Sequence, residues 1–335
     1  MKKILKKWYY RFCSFYFVYQ IYDFLQKLTG YKKERNIIFK LLGYYPDYNK
    51  PQSFNEKVLW KKIYDRNPLL PIVSDKYLVR KYIRDILGDK KADEILIPLL
   101  YVTDKPQAMK FNDLKGEFII KANHECGKYI LAENIEGKRI YTVISGKKIY
   151  SLPNNGNLRK ELISICLCWL SNPYGFKKHE WAYQRIKRKI IVEKLLRDDN
   201  GKIPDDYKFS IFQGKCGLIQ VYYNRFINLT RGWYTPNWEY IDIKGAIKMA
   251  PYAAKPGNLE SMIELAELLG KDFDFIRVDL YSVGNRIYFG ELTNYPMSGR
   301  TPFHPFSFDF ELGKKWKINP GYWKYKKYGY SKKVF

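Results

Sequence analysis

Residues 275–299 read FIRVDLYSVGNRIYFGELTNYPMSG and contain two apolar runs separated by a Gly-Asn pair. Each run is rich in β-branched and aromatic residues, and a Gly-Asn pair between two such runs is typical of a hairpin turn. A carboxylate interrupts each run, Asp279 in the first and Glu291 in the second. The segment therefore predicts a β-hairpin that places a charged group in the middle of both strands.

The length of the loop decides whether the two carboxylates meet. Because strand side chains alternate between faces, a two-residue turn at 284–285 would pair Asp279 with Gly290 and would send Glu291 to the opposite face. A three-residue loop at 284–286 would pair Asp279 directly with Glu291 and would leave the aliphatic residues on the other face. Both loop lengths are common. We predict the three-residue loop, since only it segregates polar from aliphatic residues.

Two carboxylates that face each other across a strand pair need a partner. They repel, and when they are partly buried they require a shared proton or a cation. Oxygen ligands of this kind suit Mg²⁺, which takes the rest of its shell from water and substrate phosphates. Arg277 falls on the same face and offers a planar positive group to an anion. The alternative is an ordinary solvent-facing hairpin whose charges have no ligand.

Composition limits the classes of protein to consider. The chain has 335 residues, enough for two or three subdomains, and 60 basic against 34 acidic residues give a net charge of +26. This charge favours anionic partners such as nucleotides, nucleic acid, anionic lipid or acidic glycans, unless it reflects genome composition alone. The five cysteines are odd in number and show no framework spacing, which argues against a disulfide-rich secreted domain and for a reducing cytoplasm. No apolar run is long enough to predict a transmembrane helix.

The first 30 residues are basic and apolar and contain no small-residue cleavage site, so we expect no signal peptide. At helical spacing one face carries an apolar stripe, which consists of Leu5, Trp8, Phe12, Phe15, Tyr19 and Tyr22. Flanking basic residues suit an interfacial helix on an anionic membrane. The same stripe equally suits a helix that packs on its own domain or on a second subunit, and the sequence leaves the two open.

Helix and strand patterns alternate along the chain. A capping box at 53–56 predicts a helix through Tyr64, and further helices are predicted at 74–87, 157–170, 177–187 and 258–270. Strands are predicted at 94–102, on both sides of a Gly-containing loop within 116–134, and at 188–196. A hairpin is predicted over 206–223, with its turn at 213–215. Several antiparallel pairs among alternating helices and strands favour the α+β class.

Eight segments, in this order, resemble the TupA-like family of the ATP-grasp superfamily of carboxylate–amine ligases. They are SFNEKVLW (53–60), SDKYLVRKYI (74–83), FIIKANHECG (118–127), VEKLL (192–196), DYKFSIFQGK (206–215), KPGNLESMIELAELL (255–269), FIRVDLY (275–281) and FGELT (289–293). The resemblance covers roughly residues 45–313. It implies an ATP-grasp fold, in which two α+β subdomains clasp ATP and Mg²⁺ bridges the phosphates.

The resemblance also implies a division of the chain. A helical N-terminal extension would span 1–45, a region with the first phosphate lysine 46–115, and the lid subdomain with the hinge strand 116–195. The C-terminal subdomain with the metal site would span 196–313, followed by a basic aromatic tail at 314–335.

Nucleotide contacts are implied residue by residue. Lys76 resembles the first phosphate lysine of the superfamily, and Lys121, inside the apolar strand FIIKAN, resembles the second. A lysine in such a strand needs an anionic partner whatever the family. The implied ATP-binding set is Lys76, Lys121, Asn123, His124, Gly127, Glu193, Lys194, Leu195, Leu196 and Lys208.

Metal and catalytic groups are implied at the hairpin. Asp279 and Glu291 resemble the paired Mg²⁺ ligands. The superfamily usually has Asn two residues after this Glu, where this chain has Thr293 followed by Asn294. The implied catalytic groups are Arg277, Lys121 and Lys208, while Arg300 and His304 are candidate substrate contacts.

ATP-grasp ligases transfer the γ-phosphoryl group to a carboxylate and then join the acyl group to an amine. The resemblance implies this activity in the synthesis of a bacterial surface polymer, namely capsule, O-antigen or teichuronopeptide. It also implies glycan-linked substrates, with the enzyme in the cytoplasm or on the inner face of the cell membrane. A kinase or sugar-modifying transferase on the same scaffold is the alternative. A basic protein that binds nucleic acid or a membrane surface without ATP turnover is a further one, and we expect no specific nucleic acid partner.

Overall fold

The computed structural model describes residues 17–224, 228–245 and 247–324. Within these residues helix α1 occupies 17–28. The following helices are α2 (Lys32–Leu42), α3 (Phe54–Tyr64), α4 (Leu69–Ser74), α5 (Val79–Leu87), α6 (Asp89–Ile95), α7 (Leu158–Ser171), α8 (Trp181–Gln184), α9 (Leu259–Gly270) and α10 (Ser307–Lys315). The strands are β1 (Leu99–Thr103), β2 (Phe118–Ala122), β3 (Lys128–Ile135), β4 (Lys138–Ser145), β5 (Lys148–Leu152), β6 (Ile190–Lys194), β7 (Asp206–Phe212), β8 (Lys215–Tyr223), β9 (Thr230–Tyr234), β10 (Phe275–Val283) and β11 (Arg286–Thr293).

Two antiparallel sheets organise the fold. The first has six strands in the order β1-β6-β2-β3-β4-β5, and the second has five in the order β11-β10-β7-β8-β9. Together with the helices they make an α+β protein, as predicted. β1 precedes residue 116 yet pairs with β6, so the first sheet also draws on the region 46–115. The domain boundaries remain a prediction.

Each sheet has its own core. Helix α7 covers the first sheet, where Leu162 and Cys166 pack against a cluster that includes Phe118 and Val192. Burial of the Cys166 thiol among apolar groups accords with a structural cysteine. The second sheet is covered by α3 to α6 and α9, and this larger core includes Phe209 and the other buried side chains of β7, β8 and β10. Each sheet therefore has a face free of its helical layer where it can contribute to a cleft.

Local sequence signals place several elements correctly. The hydroxyl of Ser53 accepts from the Glu56 amide at 3.1 Å, and the Glu56 carboxylate accepts from the Ser53 amide at 2.9 Å, so the capping box opens α3 as predicted. The helix α9 and the hairpin of β7 and β8 also form where predicted. These elements depend on contacts within a few residues of the chain, which is why local pattern suffices.

Two predicted helices are shorter than expected. The segment 74–87 is broken, because the Asp75 carboxylate accepts from the Tyr77 amide at 2.8 Å and competes with the helical pattern. Only Val79–Leu87 then forms α5. In the segment 177–187 only Trp181–Gln184 is helical, since His179 has a left-handed conformation with φ 56°.

Helix α1 packs on the rest of the chain through the end of the predicted stripe. The ring of Tyr22 stacks on His179 at 5.6 Å, and Tyr19 lies 6.0 Å from Phe176. The other stripe residues, at positions 5, 8, 12 and 15, lie outside the described residues. The opposite face of α1 is apolar and exposed, with Phe17 at 64% and Leu28 at 67% of full exposure. Tyr19 and Tyr22 therefore belong to a docked face, and the helix carries a second apolar face that the predicted stripe did not include.

Candidate active site

The hairpin of β10 and β11 pairs Asp279 with Glu291, as predicted, but by a different route. Val283 pairs with Arg286, so the turn has two residues, 284 and 285, and the predicted three-residue loop is wrong. Leu280 pairs with Phe289, and Gly290 is an extra residue between that pair and the next. This β-bulge restores the register that the short turn alone would have lost. A two-residue turn matches the twist of the strands and is therefore favoured at the tip of the hairpin. The extra residue consequently lies within β11 and not in the loop.

Asp279 is buried and held by two cations. Both Nε and Nη2 of Arg277 bind it, at 2.6 and 2.7 Å, and Lys208 Nζ lies 2.5 Å from Oδ2. Burial raises the pKa of Asp279, while Arg277 and Lys208 counteract this effect. Asp206 also lies 2.6 Å from Lys208. The two carboxylates and two cations form a compact buried network behind the hairpin.

Asp206 is a site residue that the sequence reasoning missed. It lies two residues before Lys208 on β7 and hence on the same face. β7 pairs with β10, so that Lys208 is opposite Asp279. The spacing of Asp206 and Lys208 was visible in the sequence, but the pairing of β7 with β10 was not.

Glu291 faces the same space with more exposure. Its Oε1 is 3.7 Å from Arg277 Nη2, and its Oε2 is 3.6 Å from Lys76 Nζ. Lys76 Nζ also donates to the Glu125 carbonyl at 2.8 Å. Although burial opposes it, Glu291 raises the pKa of Lys76 and keeps it charged. The Thr293 hydroxyl accepts from Arg277 at 3.0 Å, so Thr293 joins the same group.

On the first sheet Lys121 has the anionic partner that its apolar strand demands. Its Nζ lies 2.6 Å from Oε2 of Glu193 on the neighbouring strand β6. Arg80 from α5 reaches the other oxygen of Glu193 at 3.5 Å. The partner is thus supplied by the protein itself, and partly buried Lys121 forms an ion pair with the buried carboxylate of Glu193.

A cavity of about 70 Å³ lies between the two sheets and brings these groups together. Half of the lining residues belong to the site predicted from the sequence, namely Lys76, Lys121, Glu193, Lys194, Leu195, Leu196, Asp279 and Glu291. Residues that the prediction did not include are Ile97, Ile119, Tyr129, Ile203, Pro204, Asp206, Tyr281 and Gly290. Ligand pockets typically have about 300–1,000 Å³. The walls of this cavity therefore have to move apart to admit a nucleotide.

The predicted phosphate-covering loop places its side chains elsewhere. Asn123 is buried, where its amide donates to Asp75 at 2.9 Å and its oxygen accepts from the Lys189 amide at 2.7 Å. His124 is also buried, and burial, with nearby Arg188 and Lys76, lowers its pKa to about 3. The Gly127 amide donates to the Tyr129 hydroxyl at 3.3 Å. None of Asn123, His124 and Gly127 lines the cavity in the described structure, so their role in ATP binding stays a prediction.

Three further predicted residues lie apart from the cavity. Asn294 is fully buried and donates to the Leu70 carbonyl and the Ser74 hydroxyl, at 3.0 and 2.7 Å. Arg300 binds Glu34 at 2.5 Å, and His304 is exposed. The structure therefore brings Thr293, but not Asn294, next to Asp279 and Glu291.

The donor set fits magnesium when a nucleotide supplies part of the shell. Among the described residues no three acidic, His or Cys side chains form a metal-binding group by themselves. Asp279 and Glu291 are nevertheless paired across one ladder at the cavity wall. Mg²⁺ commonly takes only one or two carboxylates and completes its octahedron with phosphate oxygens and water. Asp279, Glu291 and Thr293 would hold the ion, which neutralises phosphate charge when bound.

A family model described as TupA-like ATPgrasp matches residues 56–317. The chain belongs to this family. It therefore has the ATP-grasp fold, and its cofactors are ATP and Mg²⁺.

The chain is also similar to solved structures of ATP-grasp ligases, at low sequence identity. D-alanine–D-alanine ligase from Bacillus anthracis is 16% identical with a TM-score of 0.34, and the match covers 67% of this chain and 57% of that one. The Helicobacter pylori enzyme is 17% identical with a TM-score of 0.36, over 73% and 62%. The ATP-grasp ligase PsnB, with minimal precursor, Mg and ADP, is 13% identical with a TM-score of 0.34, over 70% and 55%.

In each case the chain spans less than two thirds of the matched protein. A comparison with curated proteins found no match.

Proposed function

We propose that this TupA-like ATP-grasp protein joins the carboxylate of a uronic acid or an amino acid to an amine during synthesis of a bacterial surface polysaccharide. The observation that supports the chemistry best is the cavity between the sheets. Lys76 and Lys121 converge there with the pair Asp279 and Glu291, and Arg277 lies directly behind them. Phosphoryl transfer depends mostly on positioning and charge neutralisation, which is what such a constellation provides.

Each group has a role in the proposal. Lys194 to Leu196 and the Glu193 carboxylate read the adenine edge, while Lys76 and Lys121 bind phosphate oxygens. A substrate carboxylate oxygen attacks the γ-phosphorus and ADP leaves. The amine then attacks the acyl carbon, phosphate leaves, and the amine loses a proton. Arg277 and Lys208 stabilise the negative charge that develops on the acyl phosphate.

The ion pairs suggest how the lysine charges of the site are satisfied when no ligand is bound. Lys121 binds Glu193 at 2.6 Å and Lys208 binds Asp279 at 2.5 Å. A buried charge without a partner is costly, so these carboxylates satisfy the lysines before phosphate arrives. In the proposal, binding of ATP exchanges the Glu193 partner of Lys121 for a phosphate oxygen.

An ADP-release screen over pairs of carboxylates and amines tests the proposal, with mass spectrometry of the product. The expected result is ADP release that requires both substrates and yields an amide. The variant Asp279→Asn serves as the inactive control and Lys115→Met, at an exposed position, as the active one. ADP release that needs no amine and yields a phosphorylated product would establish the kinase alternative. Salt-sensitive binding of nucleic acid without any ATP turnover would overturn both.

We also propose that the enzyme attaches to the inner face of the cell membrane. The attachment is through the exposed apolar side of α1, which is its outer face. This face carries six apolar side chains at helical spacing, which are Phe17, Val18, Ile21, Phe24, Leu25 and Leu28. Lys27, Lys32 and Lys33 flank it. An apolar face with basic flanks suits an anionic bilayer surface, and each basic residue near it contributes about 1 kcal/mol. No helix of the described residues is long and apolar enough to cross a membrane.

A further inference from the structure

A second cavity, of about 340 Å³, lies beneath α1 and is separate from the nucleotide cavity. Charged or titratable side chains from α1, α3 and the region of α8 line it, namely Asp23, Lys27, Lys62, Arg66, His179 and Arg185. We propose that this cavity binds a small ligand that carries a carboxylate or phosphate together with hydroxyl groups, such as an acidic sugar. The site is distinct from the cleft that the proposed function uses, and its volume is that of a small-ligand pocket.

The charge of the lining side chains favours an anion. Four of them are basic, namely Lys27, Lys62, Arg66 and Arg185. Asp23, which pairs with Lys27 at 2.9 Å, is the one carboxylate among the described lining residues. Arg66 donates only to main-chain carbonyls at the end of α3, the nearest being Ile63 at 2.5 Å. Neither Arg66 nor Arg185 forms an ion pair within the described part of the chain. A ligand carboxylate or phosphate would supply the missing countercharge.

Acidic residues behind the wall do not cancel this charge. The Glu34 carboxylate is shared between Lys62 at 2.9 Å and Arg300 at 2.5 Å, so it is already fully engaged. Burial raises the pKa of Glu180, which opposes its negative charge, but it also lowers the pKa of Lys62, so the positive charge of the wall rests on Arg66 and Arg185. The cavity wall therefore keeps a net positive charge.

His179 adds a buried ring nitrogen that points to hydroxyl recognition. Its Nδ1 lies 2.7 Å from Asp23 Oδ1. Although burial opposes it, His179 and Lys27 lower the pKa of Asp23, so the carboxylate is ionised and Nδ1 must donate. This leaves Nε2 as the ring nitrogen without a partner, and a hydroxyl can either donate to it or accept from it. That atom is buried and has no hydrogen-bond partner among the described residues.

An unsatisfied buried donor or acceptor costs about 1–3 kcal/mol, so a partner is expected at this position. His179 is 3% exposed and is fixed by the stacked ring of Tyr22 and the edge of Tyr31, 5.0 Å away. The ring therefore cannot turn Nε2 toward bulk water without undocking α1. A ligand hydroxyl within the cavity is the partner that this geometry accepts.

Aromatic surface completes the lining. Trp181 forms part of the wall, with the guanidinium of Arg66 5.0 Å and that of Arg185 6.0 Å from its ring centre. Guanidinium groups held against an indole are oriented in place and lose less freedom when they bind an anion. Cations, an unpartnered ring nitrogen and aromatic surface together are the chemistry of a site for an anionic carbohydrate rather than for a bare ion.

Calorimetric titration without nucleotide tests this site, so the result does not depend on the proposed ligase activity. The probes are glucuronate, glucose 1-phosphate, inorganic phosphate and, as neutral control, glucose. We expect the wild-type protein to bind at least one of the two acidic sugars more tightly than inorganic phosphate, and glucose weakly or not at all. Which acidic sugar binds more tightly distinguishes a carboxylate from a phosphate ligand. Equal binding of glucose, or no binding of either acidic sugar, would overturn the proposal.

A matched pair of double variants locates the binding. Lys27→Gln/Arg185→Gln removes two cavity cations that are not needed for core packing, since Lys27 is 53% exposed and Arg185 is exposed. Lys81→Gln/Arg286→Gln is the control. Lys81 pairs with an Asp four residues away, as Lys27 does, and Arg286 lies over an aromatic ring, as Arg185 does. We expect at least about tenfold weaker binding in the first variant and less than about twofold change in the second. Equal loss in both, or displacement of the probe by a saturating non-hydrolysable ATP analogue, would contradict a separate site.

Discussion

Asp279 and Glu291 face each other across β10 and β11 because Gly290 is an extra residue in β11. The two-residue turn at 284–285 fixes one register near the tip of the hairpin, and the bulge changes it by one residue before the carboxylates. A shift of one residue exchanges the faces of a strand. A single glycine therefore decides whether the two carboxylates share the cavity.

Substitution of Gly290 should disturb that relationship directly. An added Cβ would lie 3.0 Å from the Asp279 carbonyl oxygen and 3.1 Å from the Tyr281 ring. For Gly290→Ala we expect about 1–3 kcal/mol lower stability from overpacking and at least about tenfold lower kcat/KM for ATP. Urea denaturation and ADP release measure the two effects. Gly257→Ala, where the added Cβ meets nothing within 4 Å, is the control, and equal activity of both variants would refute the role of the bulge.

A mutant cycle on Lys121 and Glu193 separates stability from catalysis. Lys121→Met leaves the buried Glu193 carboxylate with only Arg80 at 3.5 Å, so we expect a loss of about 3 kcal/mol. Turnover of ATP should fall at least about tenfold. Lys121→Met/Glu193→Gln should regain most of the stability, since the unpaired charge is gone, but none of the turnover. Recovery of turnover in the double variant would mean that Lys121 has no direct contact with phosphate.

His124 should make the protein less stable in mild acid. Burial lowers its pKa to about 3 in the folded chain, whereas the unfolded value is near 6.5. Between these values the unfolded chain binds a proton that the folded chain does not, so stability falls as pH falls. Between pH 7.0 and pH 5.5 we expect the wild type to lose about 1 kcal/mol more than His124→Gln. Identical slopes for the wild type and His124→Gln would contradict the assignment.

The two faces of α1 should respond differently to substitution. Tyr22→Ala removes a ring that stacks on His179 and should lower the melting temperature by several degrees. Leu25→Ser/Leu28→Ser alters exposed side chains, and should leave that temperature unchanged while weakening sedimentation with anionic liposomes by at least about tenfold. Analytical ultracentrifugation measures the oligomeric state and so tests the alternative, a subunit interface. A wild-type dimer that the outer-face variant converts to a monomer, with liposome binding unchanged, would identify the outer face as a subunit interface.

Much of the site could be predicted because its residues break a local pattern. Lys121 within an apolar strand and the paired carboxylates of the hairpin conflict with their neighbours in the sequence. Such conflicts are expected at functional sites. The partner of Lys121 could not be predicted, since the pair depends on β2 lying beside β6, about 70 residues further along the chain. Asp206 was missed for the same reason, because only the pairing of β7 with β10 brings it to the cavity.

Some errors came from side chains that compete with local periodicity. The helical pattern at 74–87 is valid residue by residue, yet the Asp75 carboxylate captures the amides of Tyr77 and Leu78 at 2.8 and 3.3 Å and interrupts it. In α1 the sequence offers apolar residues on two faces, and periodicity cannot tell which face docks. The hydrogen bond between Asp23 and His179, 156 positions away, and the stacking of Tyr22 on the same ring make that choice.

The sequence by itself determined the α+β class, the ends of α3 and α9, the existence of the hairpin and the family. These depend on caps, turns and periodicities within a few residues, or on ordered motifs. Only the tertiary structure decided which strands are neighbours, how the register shifts at Gly290 and which lysine meets which carboxylate. Pairing between distant segments is set by the burial of whole faces against each other, a free energy shared by many residues that no short stretch encodes.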